Sequence, residues 1–134
     1  MNEEERAVIE HRLARAHEAI EEAQGMFKEG HLNTYVSRLY YACFYAVSAL
    51  LSAHGWSTSK HSQLRALLHR ELVKTGILSL EMGRHFDRLF RNRQKADYGD
   101  FVEFKADEVA GWLDETRTFV SAVEEAVRRD QGAS

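Results

Sequence analysis

The chain has no proline anywhere in its 134 residues, and that absence constrains its architecture more than any motif. All-β folds place proline in turns and at sheet edges, whereas long helices joined by short links can do without it. Apolar residues make up 44% of the chain, and seven Phe, five Tyr and two Trp supply the area that a folded core must bury. A chain of this length closes around one core, so residues 1–134 are read as a single domain.

Helical periodicity fills in the architecture. Ile9, Leu13, Ala16, Ile20, Ala23 and Phe27 recur at helical spacing, giving an amphipathic helix over about residues 3–28 that Gly30 ends. Asn33 or Thr34 can cap a second helix running to about His54, closed by Gly55. This segment is apolar around most of its circumference and is read as the central helix. Trp56–Ser59 forms a linker with hydroxyl caps. A third helix covers about Lys60–Lys74, with Leu64, Leu67, Leu68 and Leu72 inward. Ser79 caps a fourth over about Leu80–Ala96, followed by a turn at Asp97–Phe101. A fifth spans about Ala106–Arg129, and the tail from Asp130 to Ser134 is expected to fray. The expected fold is all-α, an up-and-down bundle of four to five helices.

Several functional classes are set aside by composition. One cysteine builds neither a disulfide framework nor a thiolate zinc site and suits a reducing compartment. No apolar run reaches the roughly 18 residues of a membrane span, and the acidic N-terminal stretch is unlike a secretory signal. A cytoplasmic location is therefore expected. The net charge of −3 gives no global steering toward nucleic acid or anionic lipid, so any basic site must be local. No glycine-rich phosphate loop, nucleophile elbow or kinase signature occurs, and no cofactor is expected. The seven histidines show no i,i+4 pair with a glutamate, and no metal is expected.

Five Lys/Arg fall between Arg84 and Lys95 against one Asp. Arg84, Arg88, Arg91 and Lys95 lie along one side of the fourth helix, a stripe about 16 Å long. It reads either as a solvated charged face or as a track for successive phosphates of single-stranded RNA. Arg93 instead shares the azimuth of Phe86, Leu89 and Phe90, with Asp97 at i+4. An inward charged pair is costly unless it is satisfied. The pair either fastens the helix end or, with Arg91, Asn92 and Tyr98, binds a phosphate and supplies acid, base and charge clamp for RNA cleavage by 2′-hydroxyl attack.

Other candidates carry two readings as well. His61 is either a satisfied cap or core residue, or it reaches the motif region and contributes to phosphate binding. Tyr35, Tyr40, Tyr41, Phe44 and Tyr45 either pack a core or interface or stack bases. Arg38 beside them is a candidate partner for a carboxylate on another helix. Cys43 reads as an inert core thiol.

The segment Leu89-Phe90-Arg91-Asn92-Arg93-Gln94-Lys95-Ala96-Asp97-Tyr98-Gly99-Asp100 resembles the signature region of the HEPN superfamily (higher eukaryotes and prokaryotes nucleotide-binding domains), closest to its small stand-alone prokaryotic group. Leu39-Tyr40-Tyr41-Ala42-Cys43-Phe44-Tyr45-Ala46 is similar to the second helix of that group, and Lys60-His61-Ser62 with Glu71–Gly76 to its third. The resemblance covers about Leu32–Phe104. It implies a helical bundle that dimerises, with the motif helices facing across the two-fold. It also implies a metal-independent endoribonuclease of a toxin–antitoxin or defence system, or a non-catalytic module binding a minimal nucleotidyltransferase that adenylylates the motif tyrosine. The usual motif is an Arg, often followed by Asn, with a His about five positions on and a Tyr just beyond. Setting Arg91 and Asn92 at its start puts Tyr98 on the Tyr position and Ala96 where the His is expected, with Asp97 beside it.

Overall fold

A computed structural model describes residues 2–98 and 102–132. The turn anticipated at Asp97–Phe101 therefore falls, from position 99 onward, outside the described residues. Every regular element among the described residues is helical. Helix α1, Glu3–Lys28, begins on Asn2, whose side chain accepts from the Glu5 N–H at 2.8 Å. Glu3, Glu4 and Glu5 then face the positive end of the helix dipole. The anticipated stripe is buried through Ala23, with Ala19 added, while Phe27 is half-buried and meets the Tyr35 ring at 5.0 Å.

Gly30, at φ +78°, turns the chain sharply enough for α2, Leu32–Ala53, to run back along α1. Helix α2 starts earlier than its sequence suggested. Tyr35 N–H already bonds the His31 carbonyl at 3.0 Å, so Asn33 and Thr34 sit inside the first turn and neither caps it. As expected, α2 is the central element: α1 and the later helices α4, Leu80–Tyr98, and α6, Trp112–Gly132, all pack on it, and Val36, Leu39, Ala42, Ala46 and Leu50 are fully enclosed. Cys43 is buried with them, and burial raises its thiol pKa above the ordinary range, consistent with an unreactive core position.

The third helix departs from its expected form. It is α-helical only over α3, His61–Leu67, and continues as a π-helix from Leu68 to Val73. The wider turn closes with Lys74 N–H on the His69 carbonyl at 2.9 Å. It carries His69 against Gly83 of α4 and within 2.9 Å of Asp87. Leu64, Leu67, Leu68 and Leu72 remain inward as their spacing required.

Helix α4, Leu80–Tyr98, is capped by Ser79, which accepts from Met82 N–H at 3.2 Å. It extends past the expected end at Ala96. The single helix anticipated over residues 106–129 is two: α5, Ala106–Val109, and α6, Trp112–Gly132. The break has a local cause. The Tyr35 hydroxyl donates to the carbonyl of Val109 at 2.7 Å and reaches that of Ala110 at 3.3 Å, satisfying acceptors that a continuous helix would use, and Gly111 follows. Of the tail expected to fray from Asp130, positions 133 and 134 lie outside the described residues. Asp130 and Gln131 lie within α6, Asp130 stands 2.6 Å from His54 Nε2, and Arg128 donates to Gln131 at 3.0 Å. Among the described residues no helix is long and apolar enough to cross a membrane.

Candidate functional site

Arg93 owes its position to helix geometry. It lies one turn past Leu89, on the side of α4 that α2 covers, and only 14% of its side chain is exposed. The expected partner is in place: Arg93 Nε is 2.8 Å from Asp97 Oδ2, whose side chain is 31% exposed. The N–H is not aimed at that oxygen well enough to form a hydrogen bond, so charge holds the pair. The directed bond of Arg93 is a different one, from Nη2 to the Tyr41 hydroxyl at 3.0 Å.

The aromatic run of α2 builds the surroundings. The Arg93 guanidinium lies 5.4 Å from the Tyr40 ring centre and 5.5 Å from that of Tyr41. Arg38 takes the Tyr41 ring at 4.9 Å and meets Glu22 of α1 at 3.7 Å, the inter-helix carboxylate partner its sequence position suggested. Tyr40 is fully buried, as a core reading requires, while Tyr41, Phe44 and Tyr45 are only half-buried along the same stretch.

His61 joins this group from the first turn of α3. Its Nδ1 is 2.7 Å from the Tyr40 hydroxyl, and its ring stacks on Phe44 at 4.5 Å. Burial, reinforced by the Arg93 charge, lowers its pKa below the ordinary histidine value, against a smaller opposing pull from Asp97. The imidazole is therefore neutral at pH 7. Burial also raises the Tyr40 phenol, with Arg93 opposing. Arg93, Asp97, His61, Tyr40 and Tyr41 thus meet from α2, α3 and α4. A neutral imidazole, a fixed cation and a carboxylate in one place can take up a proton and balance negative charge.

The basic stripe is not uniform. Arg84, Arg91 and Lys95 are exposed and make no ion pair among the described residues. Arg88 is turned inward to a separate cluster. It pairs with Glu115, donates to His85 Nδ1 at 2.7 Å and lies 5.0 Å from the Trp112 ring centre. Because arginine only donates, His85 Nδ1 is the acceptor and its Nε2–H donates to Thr116 at 2.9 Å. Asn92 donates to its own helix, at the Arg88 carbonyl, at 2.7 Å. Tyr98, at the end of α4, is 80% exposed. The candidates of α4 therefore divide into an exposed face, the Arg93–Asp97 site and the Arg88 cluster.

Tyr41 and Arg38 were not legible as members of the Arg93 site, because an aromatic run on an apolar helix gives no sign of which ring a distant guanidinium will choose. A signal did exist, since Arg38 and Tyr41 stand at i,i+3 and share a face. Among the described residues no group of His, Cys, Asp and Glu side chains has the geometry of a metal centre.

Comparison with known proteins gives a consistent picture. Residues 9–126 match the HEPN domain family. A UPF0332 protein of Thermotoga maritima is 42% identical over 95% of this chain and 96% of its own length. A Methanocaldococcus jannaschii protein described as a candidate toxin is 28% identical over 84% of this chain and 77% of its own. A UPF0332 protein of Archaeoglobus fulgidus is 25% identical over 92% of this chain and 98% of its own.

Proposed function

Because this chain belongs to the HEPN domain family, we propose that it is a toxin-like endoribonuclease acting on single-stranded RNA, with its reacting groups at the Arg93–Asp97 site. The observation that carries this reading is the arrival of His61 beside Tyr40 and Arg93, since Ala96 leaves the sequence motif without its histidine. The candidate toxin among the relatives agrees with the same reading.

In the reaction, His61 donates a hydrogen bond from Nδ1–H to the Tyr40 hydroxyl, and its Nε2 takes the proton of a ribose 2′-hydroxyl. The 2′-oxygen forms a bond to phosphorus, the bond to the 5′-oxygen breaks, the leaving oxygen takes a proton from water, and the hydroxide so formed removes the proton held at His61 Nε2. The products are a 2′,3′-cyclic phosphate and a 5′-hydroxyl. Arg93 balances the charge that builds on the phosphoryl oxygens, and Asp97 and Tyr41 hold its guanidinium in place. The exposed Arg84, Arg91 and Lys95 guide the strand, and the active unit is a homodimer.

Incubation with a mixed single-stranded RNA pool in EDTA tests this reading. Cleavage to cyclic-phosphate ends is expected, with losses of about 100-fold or more in Arg93→Gln and His61→Gln. Intact RNA after incubation with the wild-type protein, with and without a divalent ion, would overturn it.

The exposure of Tyr98 favours a second reading, in which the chain is a non-catalytic module modified by a minimal nucleotidyltransferase. The phenol at the open end of α4 then receives the adenylyl group. Under that reading Tyr98→Phe abolishes the added mass while RNA stays intact in every variant.

A further inference from the structure

On the other side of His61 lies a hollow of about 690 Å³ that the Arg93 site does not use. Its walls come from α1, α2 and the linker before α3. Helix α1 contributes Arg12 and Arg15, one turn apart, with His11 beside them. Among the described residues no carboxylate lines the hollow, although the chain carries 21 Asp and Glu against 18 Lys and Arg. Glu18, itself exposed, stands outside it at 3.4 Å from Arg15.

The polar groups here are held in place yet not used up. Arg12 Nη1 donates to Ser52 at 2.5 Å, and Arg15 Nη2 to the Tyr45 hydroxyl at 3.3 Å. Each guanidinium retains further donors. Ser48 is 7% exposed and lines the hollow, and its hydroxyl has no partner among the described residues. Although the residue is largely enclosed, its hydroxyl oxygen is not sealed off and can bond a ligand in the hollow. Ser57 and Ser59 add hydroxyls at the rim that are also unpartnered among the described residues. Thr58 is spent, donating to Gln63 and accepting from Lys60 N–H.

Cationic donors with hydroxyls and no acid are the chemistry of a phosphate site. The hollow is also joined to the Arg93 site. His61 lines it, and a row of contacts runs from Arg15 to Tyr45, from Tyr45 to Tyr41 at 6.1 Å between ring centres, and from Tyr41 to Arg93. We propose that this hollow is a second phosphate subsite for single-stranded RNA, holding a backbone phosphate next to the nucleotide that lies at Arg93. The inference rests on the RNA reading of the Arg93 site and adds where the strand goes from there.

Binding of a short fluorescent single-stranded RNA, measured over a range of salt concentrations, tests the subsite. The variants are Arg12→Gln with Arg15→Gln, and separately Ser59→Asp, which sets a negative charge at the exposed rim without disturbing helix packing. Both should bind roughly tenfold more weakly at low salt. The double variant should also show a salt slope smaller by about 0.7 for each phosphate that is no longer neutralised. If both variants bind with wild-type affinity and slope while Arg93→Gln weakens binding, the subsite is overturned and the Arg93 reading stands. If the wild-type protein binds no RNA at all, the RNA reading is overturned and the subsite falls with it.

Discussion

The Tyr40 hydroxyl and His61 Nδ1 stand 2.7 Å apart, joining the central helix to the first turn of α3. In the proposed reaction Nδ1–H donates to the hydroxyl, and Nε2 is then the ring nitrogen that accepts a proton. Tyr40→Phe keeps the ring packing and removes only this control. It should cost about 1 kcal/mol of stability and lower RNA cleavage by roughly tenfold or more. In the wild-type protein the rate should rise with pH up to the depressed pKa of His61 and level off above it. A Tyr40→Phe variant that cleaves at the wild-type rate at every pH would remove Tyr40 from the control of His61.

Folding stability should fall in acid through the other buried histidine. Burial, helped by Arg88 and opposed by Glu115, pushes His85 down to about 4. An unfolded histidine takes its proton near pH 6.5. Between those values the unfolded chain binds more protons than the folded one, so stability falls as pH falls through that window. His85 alone accounts for up to about 3 kcal/mol of the loss, at 1.36 kcal/mol per pKa unit, and the depressed His61 adds to it. Urea midpoints measured at intervals from pH 7 to pH 4 would show the decline. His85→Gln, which can still bond Thr116, should flatten it, and an unchanged slope in that variant would assign the effect elsewhere.

Much of this arrangement was legible in the chain, and the illegible parts have physical reasons. The helices, the central place of α2 and the Arg93–Asp97 pair follow from a period of 3.6, because burial and i,i+4 contact depend on that period alone. The approach of His61 to Tyr40 depends on how α3 docks, and no local pattern records docking. The π-helix at Leu68–Val73 is likewise a tertiary choice, made where His69 finds Asp87. The break before Trp112 was hidden because its cause, the Tyr35 hydroxyl, lies far away in sequence. Arg88 looked like part of a phosphate track until α6 supplied Glu115.

Replacing Gly83 should reveal how tightly the π-helix is seated. A Cβ at this position meets His69 Cε1 at 3.1 Å and Val73 Cγ2 at 3.3 Å. Alanine normally gains about 1 kcal/mol over glycine inside a helix. Here His69 is held by Asp87, which it shares with Arg65, and cannot withdraw freely. Gly83→Ala should therefore lower the melting temperature by a few degrees, equivalent to a net loss of about 1 kcal/mol. With His69→Ala as the background, the same substitution should become neutral or stabilising. A thermal-melt cycle over the four proteins isolates the clash, and equal effects in both backgrounds would contradict it.

Arg93→Met separates the stability of the site from its chemistry. The methionine side chain fills much of the arginine volume and packs against the Tyr40 and Tyr41 rings that now face the guanidinium. Asp97 keeps partial exposure, so losing its partner does not strand a dry charge. Replacement of such a pair by an apolar side chain is often close to neutral, and the expected stability change is within about 1 kcal/mol. RNA cleavage should fall by about 100-fold or more, because no cation remains beside the phosphate. Denaturation midpoints and cleavage rates measured on the same preparation decide between the two roles. A large loss of stability accompanied by little loss of cleavage would make Arg93 a strut of the α2–α4 contact rather than a reacting group.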